Sequence, residues 1–142
     1  MSRTLFLIVA AAAVLSAGVG GLAPTRRAAA SPAPPVALIA ATEQVQRGRD
    51  LFVMHCAKCH GDQGEGGPEA PRLIASPHPI KGYRTAQALF DFVRMDMPFD
   101  APGSLMPQVY WDILAYILDA NKILPPDTNL GPENAANIKV SD

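Results

Sequence analysis

The chemistry-bearing residues of this chain crowd into one short stretch. Residues 55–60 read His-Cys-Ala-Lys-Cys-His, and they hold both cysteines of the 142-residue chain and two of its three histidines. Two thiols and an imidazole at this spacing have four uses: a disulfide, a redox dithiol, a zinc site, or a covalently attached haem. A disulfide between Cys56 and Cys59 closes a very small loop and stabilises little. A redox Cys-x-x-Cys belongs in a βαβ setting, and no stretch of this sequence alternates convincingly as a strand. Structural zinc takes four ligands, and the remaining histidines, His55 and His78, fall at a spacing that fits no finger or ribbon. Cys-x-x-Cys-His is the attachment sequence of c-type haem. In that reading Cys56 and Cys59 add across the two haem vinyl groups. The two-residue spacer sets the reach between them, and His60 turns beneath the ring to ligate iron through Nε2.

Iron held by one histidine has a second axial position. A soft thioether favours ferrous iron and raises the potential of the couple, and Met95, Met97 and Met106 all lie downstream of the motif. Met97 precedes Pro98 just after a predicted helix. Met95 is the first alternative, while Met106 sits at the start of the last helix. Met95 and Met54 also suit core filling. His78 offers bis-histidine ligation, although its place between two prolines fits a surface loop better, and His55 suits surface or packing. Trp111 and Tyr83 are candidate donors to haem propionates, and Arg72, Lys81 and Arg84 candidate partners for those carboxylates. The same residues equally suit an ordinary amphipathic surface.

Three helices are predicted to position these groups. The first starts near Thr42, an N-cap residue followed by Glu43 where the helix dipole favours an acid. Val45, Gly48, Phe52 and Cys56 fall on one face. The second starts at Thr85, carries Leu89, Phe92 and Val93 on one side, and is stopped by Pro98. The third runs from about Gln108 to Asn121 with a stripe of Val109, Ile113, Tyr116, Ile117 and Ala120, and Pro125-Pro126 ends it. Gly61 to Gly82 is rich in Gly and Pro and predicted to be irregular. The result is a small all-α domain over residues 42–125, a size at which apolar burial alone is marginal and a large apolar cofactor supplies what the core lacks.

Residues 1–30 read as a signal peptide or an N-terminal membrane anchor. Arg3 precedes an uncharged, mostly apolar run over residues 5–23, and Ala28-Ala29-Ala30 offers a cleavage site. Both readings export the rest of the chain to the periplasm. Residues 31–41 form an Ala/Pro-rich linker, and residues 126–142 an irregular C-terminal tail with too little apolar surface to fold alone. The whole chain has 12 basic and 13 acidic residues; without residues 1–30 it has 9 against 13, a net charge of −4. No basic patch supports nucleic-acid binding.

The segments "GRDLFVMHCAKCHGDQGEG", "GPEAPRL", "MPFDAPGSL" and "YWDILAYILDAN" make the chain resemble the class I cytochromes c, small exported monohaem electron carriers, over about Thr42 to Leu124. The resemblance implies three helices wrapped around one covalent haem c with one edge exposed. It implies that the carbonyl of Pro71 accepts a hydrogen bond from the proximal His60, that Leu73 presses on the haem face, and that Met97 in its Met-Pro loop is the distal ligand. Gly48 and Phe52 match the family's Gly-x-x-x-aromatic on the first helix, and Tyr116 the aromatic that packs across it. With both axial sites filled by protein, the iron cycles one electron without binding substrate, so the expected role is a carrier and not an enzyme. The alternatives are a haem enzyme or gas sensor with a displaceable distal methionine, and a structural subunit that uses haem as a folding staple. "MPFDAPGSL…YWDILAYILDANKI" is similar to cytochromes that accept electrons from quinoprotein dehydrogenases, and to small cytochromes of sulfur oxidation and of terminal oxidase supply. The expected partners are therefore redox proteins.

Overall fold

The computed structural model of the chain describes residues 36–141; the signal-peptide or anchor reading of residues 1–30 lies outside the described residues. Among the described residues there are four helices, α1 (Val36–His55), α2 (Ala57–His60), α3 (Ala86–Asp96) and α4 (Pro107–Ala120), followed by a 3-10 turn at Ala135–Asn137. No strand occurs among the described residues, only an isolated bridge between Thr85 and Lys139. The described residues thus have the all-α architecture that the resemblance implies. No helix among the described residues is long and apolar enough to cross a membrane.

α1 begins at Val36 and not near Thr42, so residues 36–41, assigned above to the linker, are helical. The physical reason is the end of the proline run. No proline follows residue 35 until Pro68, and Ala37, Leu38, Ala40 and Ala41 are good helix formers. α3 starts as expected: the Thr85 hydroxyl accepts the Ala88 N–H at 3.2 Å. Its buried face is Ala86, Leu89 and Phe90, while Phe92 lies off that face and is 38% exposed. α4 opens with Pro107 at its first turn. It is more than a striped helix: every residue from Tyr110 to Leu118 except the half-buried Tyr116 is buried, as a helix apolar nearly all round must be.

The principal crossing is α1 on α4. A Cβ on Gly48 would overlap the carbonyl of Asp112 and sit 3.1 Å from the Tyr116 Cβ, so only glycine lets the two backbones meet here. One turn on, the Phe52 and Tyr116 rings lie 5.5 Å apart in a tilted pair. The expected Gly48–Phe52–Tyr116 crossing is thus present.

The C-terminal segment is part of this core. Leu130, Ala135, Ile138 and Val140 are buried in it, so the boundary drawn at residue 125 cuts through the packed unit. Gln44, fully buried on α1, holds the segment in place: its Nε2 donates to the Leu130 carbonyl at 2.8 Å and its Oε1 accepts the Leu130 N–H at 2.7 Å. The same amide donates to Asp112 at 3.2 Å, and Asp112 also accepts from Arg47 at 3.3 Å and Gln108 at 2.8 Å. Buried polar groups need such partners, and leaving a donor and an acceptor unmatched destabilises by about 1–3 kcal/mol each. Gln44→Ala is therefore expected to destabilise the holoprotein by about 2–4 kcal/mol, read as a lower denaturant midpoint. An unchanged midpoint would mean that the tail is not held through this side chain.

Candidate haem site

Cys56 follows the last residue of α1, and Ala57–His60 form the single turn of α2, with Cys59 N–H and His60 N–H both bonded to the Cys56 carbonyl at 3.2 and 3.0 Å. That turn presents both thiols and the imidazole on one short rigid element. Both cysteines are free and half-buried. Burial, and then the neighbouring Cys59, pushes the Cys56 thiol up to about 11.

His60 is buried, and its Nδ1 lies 2.8 Å from the carbonyl oxygen of Pro71. A carbonyl can only accept, so Nδ1 carries the proton and Nε2 is left with its lone pair, the form a metal requires. The glycine-rich loop after the motif makes this contact. Gly66 N–H returns to the His60 carbonyl at 2.7 Å, and Leu73 and Ile74 N–H groups bond to the Gly64 carbonyl at 2.7 and 3.0 Å. Gly66 has φ +80°, and a Cβ on it would meet the backbone of Arg72 and Pro71, so the loop can fold back this tightly only with glycine there. The Glu65 carboxylate accepts hydrogen bonds from its own N–H and from that of Gln63, which hold it below the usual carboxylate range. Leu73 is half-buried against the core, and Asn121 at the end of α4 clamps its segment: the amide donates to the Leu73 carbonyl at 2.9 Å and accepts the Ala75 N–H at 3.2 Å.

The methionines separate clearly. Met97 is the half-buried C-cap of α3, whereas Met95 is 74% and Met106 71% exposed. Met97 N–H bonds to Val93 O at 2.9 Å and its carbonyl accepts the Tyr110 hydroxyl at 2.8 Å. The motif turn and the Met97 loop approach each other at the surface, where Lys58 Nζ stands 3.9 Å from Asp100 Oδ2; both side chains are well exposed, so this pair adds little energy. Cys56 and Cys59 thus share the motif turn with His60, Pro71 meets the His60 ring, and Met97 stands at the root of the loop whose Asp100 faces Lys58.

The remaining candidates lie apart from this set or have other partners. Trp111 stacks on Phe90 at 3.7 Å and 8°. Tyr83 packs on Phe92 at 5.1 Å, and burial, then the Asp96 carboxylate, raises its phenol, so it remains a donor at neutral pH. His78 lines a different cavity with Lys81, Lys139, Val140 and Ser141. Among the described residues no three His, Cys, Asp or Glu side chains gather as a metal-binding group. The residues present do fit a covalent haem: paired thiols on one turn, an imidazole with the correct tautomer fixed, and a methionine held by its backbone. Sequence reasoning missed Gln44, Tyr110, Asp112 and Asn121. Gln44, Tyr110 and Asp112 lie inside helices and Asn121 caps the end of α4, places where apolar periodicity gives no signal for a polar group.

Residues 43–117 match the family described as cytochrome c oxidase, cbb3-type, subunit III. A chain in the crystal structure of the sulfane dehydrogenase SoxCD from Paracoccus pantotrophus is 30% identical over 67% of this chain, with a TM-score of 0.57. The present chain spans about half of that chain, 52% of its length. No curated protein matches.

Proposed function

Since the chain belongs to the cytochrome c oxidase, cbb3-type, subunit III family and is a monohaem class I cytochrome c that binds haem c covalently, we propose that it is a periplasmic one-electron carrier with His60 and Met97 as axial ligands. Haem c, when bound, supplies the one-electron couple of its iron. The chain's own residues do the rest. Cys56 and Cys59 fix the ring through thioethers. His60 offers Nε2 while Pro71 holds its orientation and makes the imidazole a better donor. Leu73 keeps water from the proximal face. Met97 would supply a soft thioether, which favours the reduced state of the iron. With both axial positions filled by His60 and Met97, the iron would have no position for substrate, as a carrier requires. The observation that carries this reading is the His60 imidazole pinned to the Pro71 carbonyl on a Cys-x-x-Cys-His turn.

The partners we propose are redox proteins: a dehydrogenase or respiratory complex as donor and an oxidase or other cytochrome as acceptor. Similarity to a chain of a sulfane dehydrogenase supports a dehydrogenase as donor. The net charge of −4 beyond residue 30 favours a partner with a neutral or basic docking face.

The test is an absorption spectrum of holoprotein purified separately from membrane and soluble fractions, oxidised, then reduced, then exposed to CO. A low-spin c-type spectrum with a methionine–iron charge-transfer band, unmoved by CO, is expected in periplasmic material. A high-spin spectrum that shifts with CO would replace the carrier with a haem enzyme or gas sensor. The fraction that carries the colour distinguishes a soluble protein from a tethered one.

A further inference from the structure

The segment that joins α3 to α4, residues 97–106, stands mostly in solvent: residues 99–104 are exposed, Phe99 to 85%. Its internal hydrogen bonds are short-range. Ala101 N–H reaches Pro98 O at 2.9 Å, Ser104 N–H reaches Ala101 O at 3.3 Å, and Gly103 N–H reaches Met97 O at 3.4 Å. A segment with exposed backbone hydrogen bonds and few buried side chains opens locally at low free energy. A distal ligand carried at its root would leave the iron each time it opened.

Tyr110 is the exception. It is 1% exposed, on the second turn of α4, with its ring edge-on to Phe90 at 6.3 Å and 85°. Its hydroxyl donates to the Met97 carbonyl at 2.8 Å and accepts the Leu105 N–H at 3.4 Å. One phenol thus bonds to both ends of the exposed segment. Because Met97 N–H is already held by Val93, both backbone polar groups of Met97 are fixed, one by α3 and the other by α4.

We infer that Tyr110 is a positioning residue for the distal ligand: its hydroxyl ties the 97–105 segment to α4 and so sets how readily Met97 is displaced from iron. This rests on the His60/Met97 reading. Tyr110→Phe keeps the ring and its packing but removes the hydrogen bonds to Met97 and Leu105, so the segment opens more often while the rest of the core is retained.

The experiment is an imidazole titration of the ferric holoprotein, followed by loss of the methionine–iron charge-transfer band. Imidazole can bind only where the methionine has left. Tyr110→Phe is expected to bind it roughly tenfold more tightly than the parent, which corresponds to about 1.4 kcal/mol, the worth of one buried hydrogen bond. Gln44→Ala is the control, because it weakens the fold at the tail without touching this segment; its imidazole affinity is expected to stay within about twofold of the parent. An unchanged affinity in Tyr110→Phe overturns the inference, as does an equal rise in Gln44→Ala, which would make the effect one of general stability. Failure of the ligand assignment itself reads differently: the parent protein would then show no methionine–iron band before any imidazole is added, and both readings would fall together.

Discussion

Met97→Ala is expected to yield a protein that keeps its covalent haem, becomes high-spin when reduced, binds CO rapidly, and has a reduction potential lower by on the order of 0.2 V, within the roughly 0.8 V that axial ligands command. The size follows from the loss of the soft ligand that favours ferrous iron. The other methionines are poorly placed to replace it. Met95 points to solvent on α3 and Met106 precedes α4, both more than two-thirds exposed. Met95→Ala and Met106→Ala should leave the spectrum as it is. A Met97→Ala protein that stays low-spin and ignores CO would mean that another side chain holds the distal position, and one of those two variants would then lose its spectrum instead.

The second large effect is all-or-none. The double change Cys56→Ala and Cys59→Ala is expected to give a chain whose haem, if taken up at all, is removed completely by acidified acetone, whereas the parent keeps it. Each single change should leave one thioether, and with it one unsaturated vinyl that moves the reduced absorption band to longer wavelength. Haem that survives extraction in the double variant would rule out thioether attachment at this motif. Stability should fall with the cofactor, because a domain of this size has a core that is marginal without it. Cys56 itself packs half-buried against that core.

Much of this arrangement could be read from residue types and spacing. The Cys-x-x-Cys-His turn, the Gly48–Phe52–Tyr116 crossing and the Thr85 cap each depend on local chemistry that few other residues supply. The pairing of His60 with Pro71 came through resemblance, and the geometry contains that hydrogen bond. What escaped depends on partners far along the chain. Residues 36–41 resembled the proline-rich stretch before them in composition, yet a helix forms once the prolines end. Phe92 fitted an apolar face as well as Phe90 did, and only the docking of α3 chose between them. The tail has few apolar residues, but its Leu130, Ala135, Ile138 and Val140 are spaced to enter a groove that other elements build. Gln44 and Asp112 carry no local signal, since nothing near them in sequence shows that a backbone segment some 86 positions from Gln44 will meet them.

The Gln44 contact also bears on the order of events as the chain is made. Gln44 and Leu130 are separated by 86 positions, and between them lie Cys56, Cys59, His60, Pro71, Leu73 and Met97. Closure of so long a loop is entropically unfavourable until the contacts at its ends can form. α1 is made well before residue 130, and its buried amide has no backbone to pair with until that residue has been added. Cys56, Cys59, His60 and Met97 all lie inside this loop, so they are already in the chain before the Gln44–Leu130 contact can close over them.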